Sequence, residues 1–188
     1  MDIPDNPVHE ELEKLPKETL IELIKMYSRN WHTCDGLWFS GVEEQYGTEK
    51  ALEIDINMWS ISSRLEAKRI KEVLAIPDNA GLDEVLRAIN FMSWAAKCSY
   101  RIDKNGDSAL LTVISCPPQE ARIKAGKGVF ACRPTFELGF GNVARVIDPS
   151  VKVTCKYCPP GPYPADSWCQ WEFNRNHAIP LALCDITR

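Results

Sequence analysis

The stretch that decides the fold is CSYRIDKNGDSALLTVI, residues 98–114, because it breaks the helical pattern of the chain before it. Two short apolar runs, Cys98 to Ile102 and Ala109 to Ile114, lie on either side of Asn105-Gly106. An Asn-Gly pair favours a tight hairpin turn, since both residues tolerate the positive φ that the turn requires. The stretch therefore predicts a β-hairpin and the beginning of an antiparallel sheet.

The chain before this hairpin has helical periodicity. After a tail of about 14 residues, Pro16 can begin a helix, and Gly47 can end it. The apolar positions recur at steps of three, four or seven, which predicts one long helix or two helices that break near Asp35-Gly36. The first apolar stripe consists of Leu20, Ile24, Tyr27, Trp31, Trp38 and Val42.

Two further helices are predicted before the hairpin. One begins at Thr48 and ends near Leu74, and its apolar stripe consists of Ile54, Met58, Ile61 and Leu65. A shorter helix follows from about Leu82 to Met92.

The chain after the hairpin returns to helix and then to strand. Residues 118–146 predict two helical pieces divided near Gly126-Lys127-Gly128, and VKVTCKY (151–157) and WCQWEF (168–173) predict two strands joined by PPGPYPAD. This order predicts an α+β fold in which the amino-terminal helices pack on an antiparallel sheet. We expect one domain over 1–188, with a helical part at 15–92 and an α+β part at 96–175. The last residues, HAIPLALCDITR, fit a tail or an arm on a partner subunit.

Composition narrows the class of protein. The chain has 188 residues, 45% of them hydrophobic and 26% charged, which is typical of a globular protein. A net charge of -4 with scattered basic residues argues against nucleic acid as a partner. The acidic start does not read as a signal peptide, and no apolar run approaches the roughly 20 residues of a membrane span. We expect a cytosolic protein that does not bind membranes.

Four cysteines form the clearest pattern: Cys132, Cys155, Cys158 and Cys169. Zinc favours four thiolates in tetrahedral arrangement, and a C-x-x-C turn presents two of them to one ion. The predicted hairpin brings the last three together, and Cys132, at the start of a helix, can supply the fourth. Structural zinc that fastens the carboxy-terminal hairpin is the first interpretation. An iron–sulfur cluster, a redox dithiol or four ordinary buried thiols are the alternatives.

The region from about Leu110 to Phe173 resembles the 4-vinyl reductase domain and the related L-2-amino-thiazoline-4-carboxylic acid hydrolase-like proteins. The resemblance implies a small-molecule-binding α+β module whose zinc ligands correspond in order to Cys132, Cys155, Cys158 and Cys169. Cys155 stands where those domains often have a glutamate, and the gap to Cys169 is longer. The stretch WHTCDGLWFSGVEEQYGTEKALEID resembles the amino-terminal helices of an uncharacterised bacterial and archaeal branch of that group. A homodimer is expected on the same ground.

An acidic residue interrupts the first apolar stripe, because Trp31, Asp35 and Trp38 share one helix face. A buried carboxylate must be paired, hydrogen-bonded or protonated, so Asp35 either meets an arginine such as Arg122 or Arg133 or faces a pocket. One interpretation is a structural core. The other is a ligand pocket with apolar walls at Trp31, Trp38 and Trp59, where Asp35 or Glu43 orients the ligand.

Cys116 and Arg122 form another candidate site in SCPPQEARIKAG. Cys116 precedes a helix whose amino terminus can lower the pKa of its thiol, as a nucleophile would need, but a buried structural cysteine is the favoured interpretation. Arg122 on that helix can bind a carboxylate with two hydrogen bonds. His32 is expected at the surface, off the apolar stripe.

These observations predict a cytosolic zinc-containing protein that binds a small organic molecule of unknown identity. Whether it is an enzyme stays open. The alternatives are a hydrolase of a small cyclic amide or thiazoline-like substrate, with Cys116 and Asp35 or Glu43 in the reaction, and an iron–sulfur protein of anaerobic metabolism.

Overall fold

The computed structural model of the protein describes residues 7–175, and the predicted carboxy-terminal tail or arm lies outside them. The described chain is α+β, with six helices packed with a four-stranded antiparallel sheet. The helices are α1 Pro7–Glu13, α2 Lys17–Tyr46, α3 Thr48–Val73, α4 Gly81–Ile89, α5 Pro117–Lys124 and α6 Arg133–Ile147. The strands are β1 Ser99–Asn105, β2 Ser108–Ser115, β3 Val151–Tyr157 and β4 Cys169–Arg175, and a short 3₁₀ helix covers Ala95–Lys97.

The sheet has the strand order β1-β2-β4-β3, and each neighbouring pair is antiparallel. The predicted hairpin forms, but Asn105 pairs with Ser108, so the two loop residues are Gly106 and Asp107 rather than Asn105 and Gly106. Gly106 adopts a positive φ of 57°, which glycine accepts readily. The second hairpin pairs Cys155 with Trp171. Both predicted hairpins therefore lie in one sheet, joined through β2 and β4.

The two long helices form an antiparallel pair. The sequence left one or two helices open before Gly47, and the structure shows α2 as a single helix of 30 residues through Asp35-Gly36. Gly47 separates α2 from α3 with a φ of 84°, a conformation that favours glycine because it has no Cβ. The first 14 residues are not only a tail, because α1 forms within them with every side chain exposed or half-exposed.

The core lies between the sheet and two helices. Trp171 and Phe173 on β4 and Leu111 on β2 are completely buried against α4 and α6. The opposite face of β3 carries the exposed Lys152, Thr154 and Lys156, so the sheet is covered on one side only. The other side of α6 packs against α3, which in turn packs against α2. The helices therefore form two layers above one face of the sheet.

The apolar stripe predicted for α3 is not the face that the helix buries. Ile54, Ile61 and Leu65 are 41% to 56% exposed. The buried residues of α3 are instead mostly small and are spaced three, four or eight positions apart: Ala51, Trp59, Ser63, Ala67 and Ile70. Small side chains allow α3 to pack along α6, and Ile54, Ile61 and Leu65 are left outside this contact.

No helix among residues 7–175 combines the length and the apolar content that crossing a membrane requires.

Candidate functional site

A cavity of about 640 Å³ lies among α2, α3, α5 and the beginning of α6. This volume is within the range of small-molecule sites. Of the residues predicted to bind a ligand, Trp31, Asp35, Trp59 and Arg122 line this cavity. The sequence predicted a site between the amino-terminal helices and the sheet, but no strand residue of the described chain lines this cavity, which is formed by helices and loops.

The walls of the cavity are aromatic. Trp31 and Trp59 meet edge to face with ring centroids 6.2 Å apart, and Phe136 stacks on Trp59 at 6.2 Å. Trp94 extends this group through an edge contact with Phe136 at 6.1 Å. At another part of the wall, Phe39 and Phe130 lie 5.2 Å apart. These rings come from α2, α3, α6 and two loops, so the fold assembles the wall from separate segments.

Two carboxylates face this aromatic cavity. Asp35 on α2 is half-buried and forms no hydrogen bond or ion pair with a described residue. Burial, together with the charge of Asp55, raises the pKa of Asp35 to about 6. Asp55 on α3 accepts a hydrogen bond of 2.8 Å from the Thr135 hydroxyl, and burial also raises its pKa. Neither Arg122 nor Arg133 meets Asp35, so of the predicted options the structure shows the pocket.

Arg122 lines the cavity but already binds a carboxylate. Its two terminal nitrogens donate hydrogen bonds of 2.9 and 3.0 Å to Glu43, and its guanidinium lies against the rings of Phe39 and Phe130. The predicted bidentate contact therefore exists within the protein. The Nε atom of Arg122 is buried and has no hydrogen-bond acceptor among the described residues.

Glu43 does not line the cavity, contrary to the predicted role in orienting a ligand. Besides Arg122, it accepts hydrogen bonds from Lys127 at 3.0 Å and from Thr48 at 2.9 Å. These bonds, first among them that of Arg122, hold the pKa of Glu43 at about 2. Glu43 therefore fixes α5 and the following loop to α2, and its oxygens are engaged inside the protein.

Trp38 also lies outside the cavity. Its side chain is 73% exposed and borders a separate groove on the surface of α2. The buried or half-buried face of α2 runs through Ser28, His32, Asp35 and Phe39, at steps of four, three and four. Trp38 comes seven residues after Trp31, and seven residues of an α-helix fall about 20° short of two full turns. Trp38 is therefore turned further from this face than Trp31.

Cys116 is the amino-terminal cap residue of α5, as predicted, but its thiol does not line the cavity. Burial raises the pKa of Cys116, so the expected lowering by the helix terminus does not occur. The Cys116 amide instead donates a hydrogen bond of 2.9 Å to Glu120 on the same helix. These features are those of a structural thiol.

Three residues of the cavity were missed by the sequence analysis. His32 was expected at the surface, but it is half-buried, with Nε2 3.2 Å from the carbonyl oxygen of Trp94, and burial lowers its pKa. Asp55 and Trp94 lie outside the stripes that the periodicity selected. An acidic residue four positions before Trp59 on the small-residue face of α3 is the signal that could have identified Asp55.

Two of the four predicted metal ligands are in contact near the start of α6. Cys132 and Cys158 are buried, and their sulfurs lie 3.6 Å apart. Cys132 and, less strongly, Cys169 at the beginning of β4 raise the pKa of Cys158. Cys155 is half-exposed on the helix-covered face of β3. None of the seven cysteines in the described chain forms a disulfide.

N–H groups point at two of these sulfurs. Gln119 donates a hydrogen bond of 3.3 Å to Cys132, and Trp171 donates one of 3.2 Å to Cys169. Gln119 is itself held by two hydrogen bonds with the backbone of Phe130. Still, within residues 7–175 no three or more His, Cys, Asp or Glu side chains are arranged around a position for a metal ion.

Comparison with known proteins gives a family and no activity. No curated protein and no solved structure matches the chain. A family profile described as a family of unknown function, DUF6125, matches residues 13–175, which include the cavity and all four cysteines. The match does not refer to 4-vinyl reductase or to the thiazoline hydrolase-like proteins, so that resemblance stays a prediction. Because the profile covers most of the sequence, the chain belongs to the DUF6125 family.

Proposed function

We propose that the protein is a cytosolic, zinc-containing protein that binds a small organic molecule in the cavity between α2, α3 and α5. The observation that carries this proposal is the composition of the cavity wall, in which aromatic rings surround two carboxylates that form no ion pair with a described residue. Small-molecule sites combine apolar walls with a few polar groups in this way.

Unpaired polar groups in the wall support a bound ligand. A buried donor without an acceptor costs about 1–3 kcal/mol. Arg122 Nε is such a donor, and a ligand with an acceptor group could satisfy it. Asp35 likewise has no protein donor, although burial disfavours its charged form. A ligand would supply the hydrogen bonds that Arg122 Nε and Asp35 do not find in the folded chain.

Zinc would be held by Cys132, Cys155, Cys158 and Cys169. Two sulfurs bound to zinc at 2.3 Å and at a tetrahedral angle lie about 3.8 Å apart, which is close to the 3.6 Å between Cys132 and Cys158. The hydrogen bonds from Gln119 and Trp171 suit thiolates, because metal ligands are commonly supported by such donors. Four thiolates would leave no position for water, so the zinc would stabilise the fold rather than activate a nucleophile.

The seven cysteines without disulfides are consistent with a reducing compartment, which supports the cytosolic location. A homodimer also stays a proposal. It is supported by the exposed apolar side chains of α2, among them Ile24, Tyr27 and Trp38. Sedimentation equilibrium of the whole chain should give twice the mass of one chain, and a monomer at micromolar concentration would contradict it.

Blocking the cavity tests the proposed function. Gly36 lines the cavity, and a Cβ at this position meets no atom within 4 Å, so Gly36→Trp should place a ring at the cavity without a backbone clash. We expect compounds in a thermal-shift library that stabilise the wild-type protein to lose their effect on Gly36→Trp. A ligand at 100 times its Kd stabilises by about 2.7 kcal/mol, which corresponds to a shift of roughly 5–10 °C.

Gly41→Trp is the matched control for this experiment. Gly41 lies on the same helix, also has open space at its Cβ, and borders the surface groove rather than the cavity. Compounds should therefore stabilise Gly41→Trp as they stabilise the wild type. Equal stabilisation of both variants, or a library without any ligand for the wild type, would contradict the proposed function.

A hydrolase of a small cyclic amide or thiazoline-like substrate is the second candidate. One observation favours it: a carboxyl group with a pKa of about 6 can accept and donate protons near neutral pH. The reaction would depend on Asp35 rather than on the buried Cys116. Turnover by the wild-type protein that Asp35→Asn abolishes and Cys116→Ser retains would support catalysis, whereas equal turnover by Asp35→Asn would exclude this role.

A further inference from the structure

The charges that face the cavity point to the class of its ligand, and the argument rests on the proposed small-molecule site. Asp35 and Asp55 line the cavity from neighbouring helices, and burial together with the charge of Asp55 raises the pKa of Asp35. Neither forms an ion pair with a described residue. Two acidic groups that share one apolar cavity repel each other unless a proton or a cation lies nearby.

The basic groups of the cavity do not neutralise this pair. Arg122 and Lys127 are bound to Glu43. Arg29 and Lys97 are exposed, and neither is within 4.0 Å of a carboxylate of the described chain. Burial lowers the pKa of His32, so this side chain favours its neutral form. The counter-charge of the two acids is therefore not supplied by the described residues.

The aromatic wall beside the acids also suits a positive charge. The ring faces of tryptophan attract cations, and the attraction grows when water is excluded. On α2, Asp35 comes four positions after Trp31. On α3, Trp59 comes four positions after Asp55. Residues four apart on a helix are neighbours, so each acid lies beside a tryptophan.

We propose that the cavity binds a small protonated amine with an apolar body, whose ammonium group lies between Asp35 and Asp55 and whose body lies against Trp31 and Trp59. The ammonium donates its N–H bonds to the carboxylates, including the oxygens of Asp35 that have no donor in the described chain. The apolar body fills the aromatic part of the cavity. A neutral or anionic compound of the same shape lacks the first of these contacts.

Three probes of one shape test the charge: phenethylamine, 2-phenylethanol and phenylacetate, each titrated into the full chain by calorimetry. We expect the amine to bind at least roughly tenfold more tightly than the alcohol, and phenylacetate to bind most weakly. Asp35→Asn should weaken amine binding roughly tenfold and leave binding of the alcohol unchanged. Asp55→Asn should act in the same direction and serves as a second variant.

Asp103→Asn is the control, because Asp103 is an exposed acid on β1, outside the cavity. It should leave the affinity for all three probes unchanged. The inference is overturned if the alcohol or phenylacetate binds as tightly as the amine, if the amine does not bind at millimolar concentration, or if Asp35→Asn binds it unchanged. Each of these results leaves the proposed site intact, because the Gly36→Trp screen judges separately whether the cavity binds any small molecule.

Discussion

Replacing Cys158 by serine is expected to remove bound zinc and to lower the melting temperature by roughly 10 °C or more. Cys132 caps α6, Cys158 follows β3 and Cys169 begins β4, so a metal that joins their sulfurs links the helix to both strands of the second hairpin. Metal that binds the folded chain adds its binding free energy to the stability of the fold. Serine keeps the size of the side chain but is a poor zinc ligand, which separates loss of metal from loss of packing.

The measurement is zinc content by elemental analysis together with thermal unfolding followed by circular dichroism. Cys34→Ser is the matched control, because Cys34 is exposed on α2 and belongs to no predicted ligand set. It should keep both the metal and the melting temperature. Full zinc content in Cys158→Ser, or an unchanged melting temperature after complete loss of metal, would mean that these thiols do not hold a structural zinc.

The second large effect is expected at Glu43 and depends on pH. The pKa of Glu43 is about 2 in the folded protein and 4.5 for a free side chain, because Arg122, Lys127 and Thr48 stabilise the carboxylate. A carboxyl group whose pKa is lower in the folded state stabilises the fold at pH values above its pKa in the unfolded chain. This stability is lost as the pH falls from about 4.5 towards 2. The difference between these two pKa values corresponds to about 3 kcal/mol of stability.

Glu43→Gln should therefore be less stable than the wild type by about 3 kcal/mol at pH 7, and the gap should narrow as the pH falls below about 5. Urea unfolding between pH 7 and pH 3 measures it. Glu44→Gln is the control. The side chain of Glu44 is 71% exposed and its ion pair with Lys127 is long, at 3.8 Å, and exposed pairs contribute little to stability. A gap that stays constant with pH would show that the charge of Glu43 does not produce the stabilisation.

The elements of the fold were predictable where local chemistry specifies them. Gly106 allows the tight hairpin turn because glycine accepts the positive φ needed there, and Gly47 ends α2 for the same reason. The sheet order was not predictable, because pairing of β2 with β4 depends on contacts between residues about 60 positions apart. Local patterns do not determine which of two hairpins lies beside which strand.

The face that α3 buries was not predictable from periodicity. The periodicity gives weight to the largest apolar residues, such as Ile54 and Ile61, which the fold leaves partly exposed. The buried face of α3 includes Ala51, Ser63 and Ala67, whose small size matters only once a second helix packs against them. Asp55 lies on this small-residue face, where apolar periodicity gives no signal, so the sequence did not indicate it.

The acidic residues of α2 show the same contrast between what helical spacing predicts and what depends on packing. Asp35 within an apolar stripe indicated a pocket, and the structure places it in one with Trp31 and Trp59. Glu43 lies eight positions after Asp35, about two helical turns along α2. It nevertheless binds Arg122 and Lys127, because α5 and the loop after it contact α2 at Glu43. Which acid is paired depends on the position of α5, and helical spacing carries no information about that position.

X-ray absorption at the zinc edge, with the metal content of the purified full chain, tests the central claim of four thiolates around one zinc most directly. The account predicts one zinc per chain and a first shell of four sulfurs at about 2.3 Å. Iron with inorganic sulfide would assign the same cysteines to a cluster instead. A protein without metal, or zinc bound mainly by nitrogen and oxygen, would contradict the account.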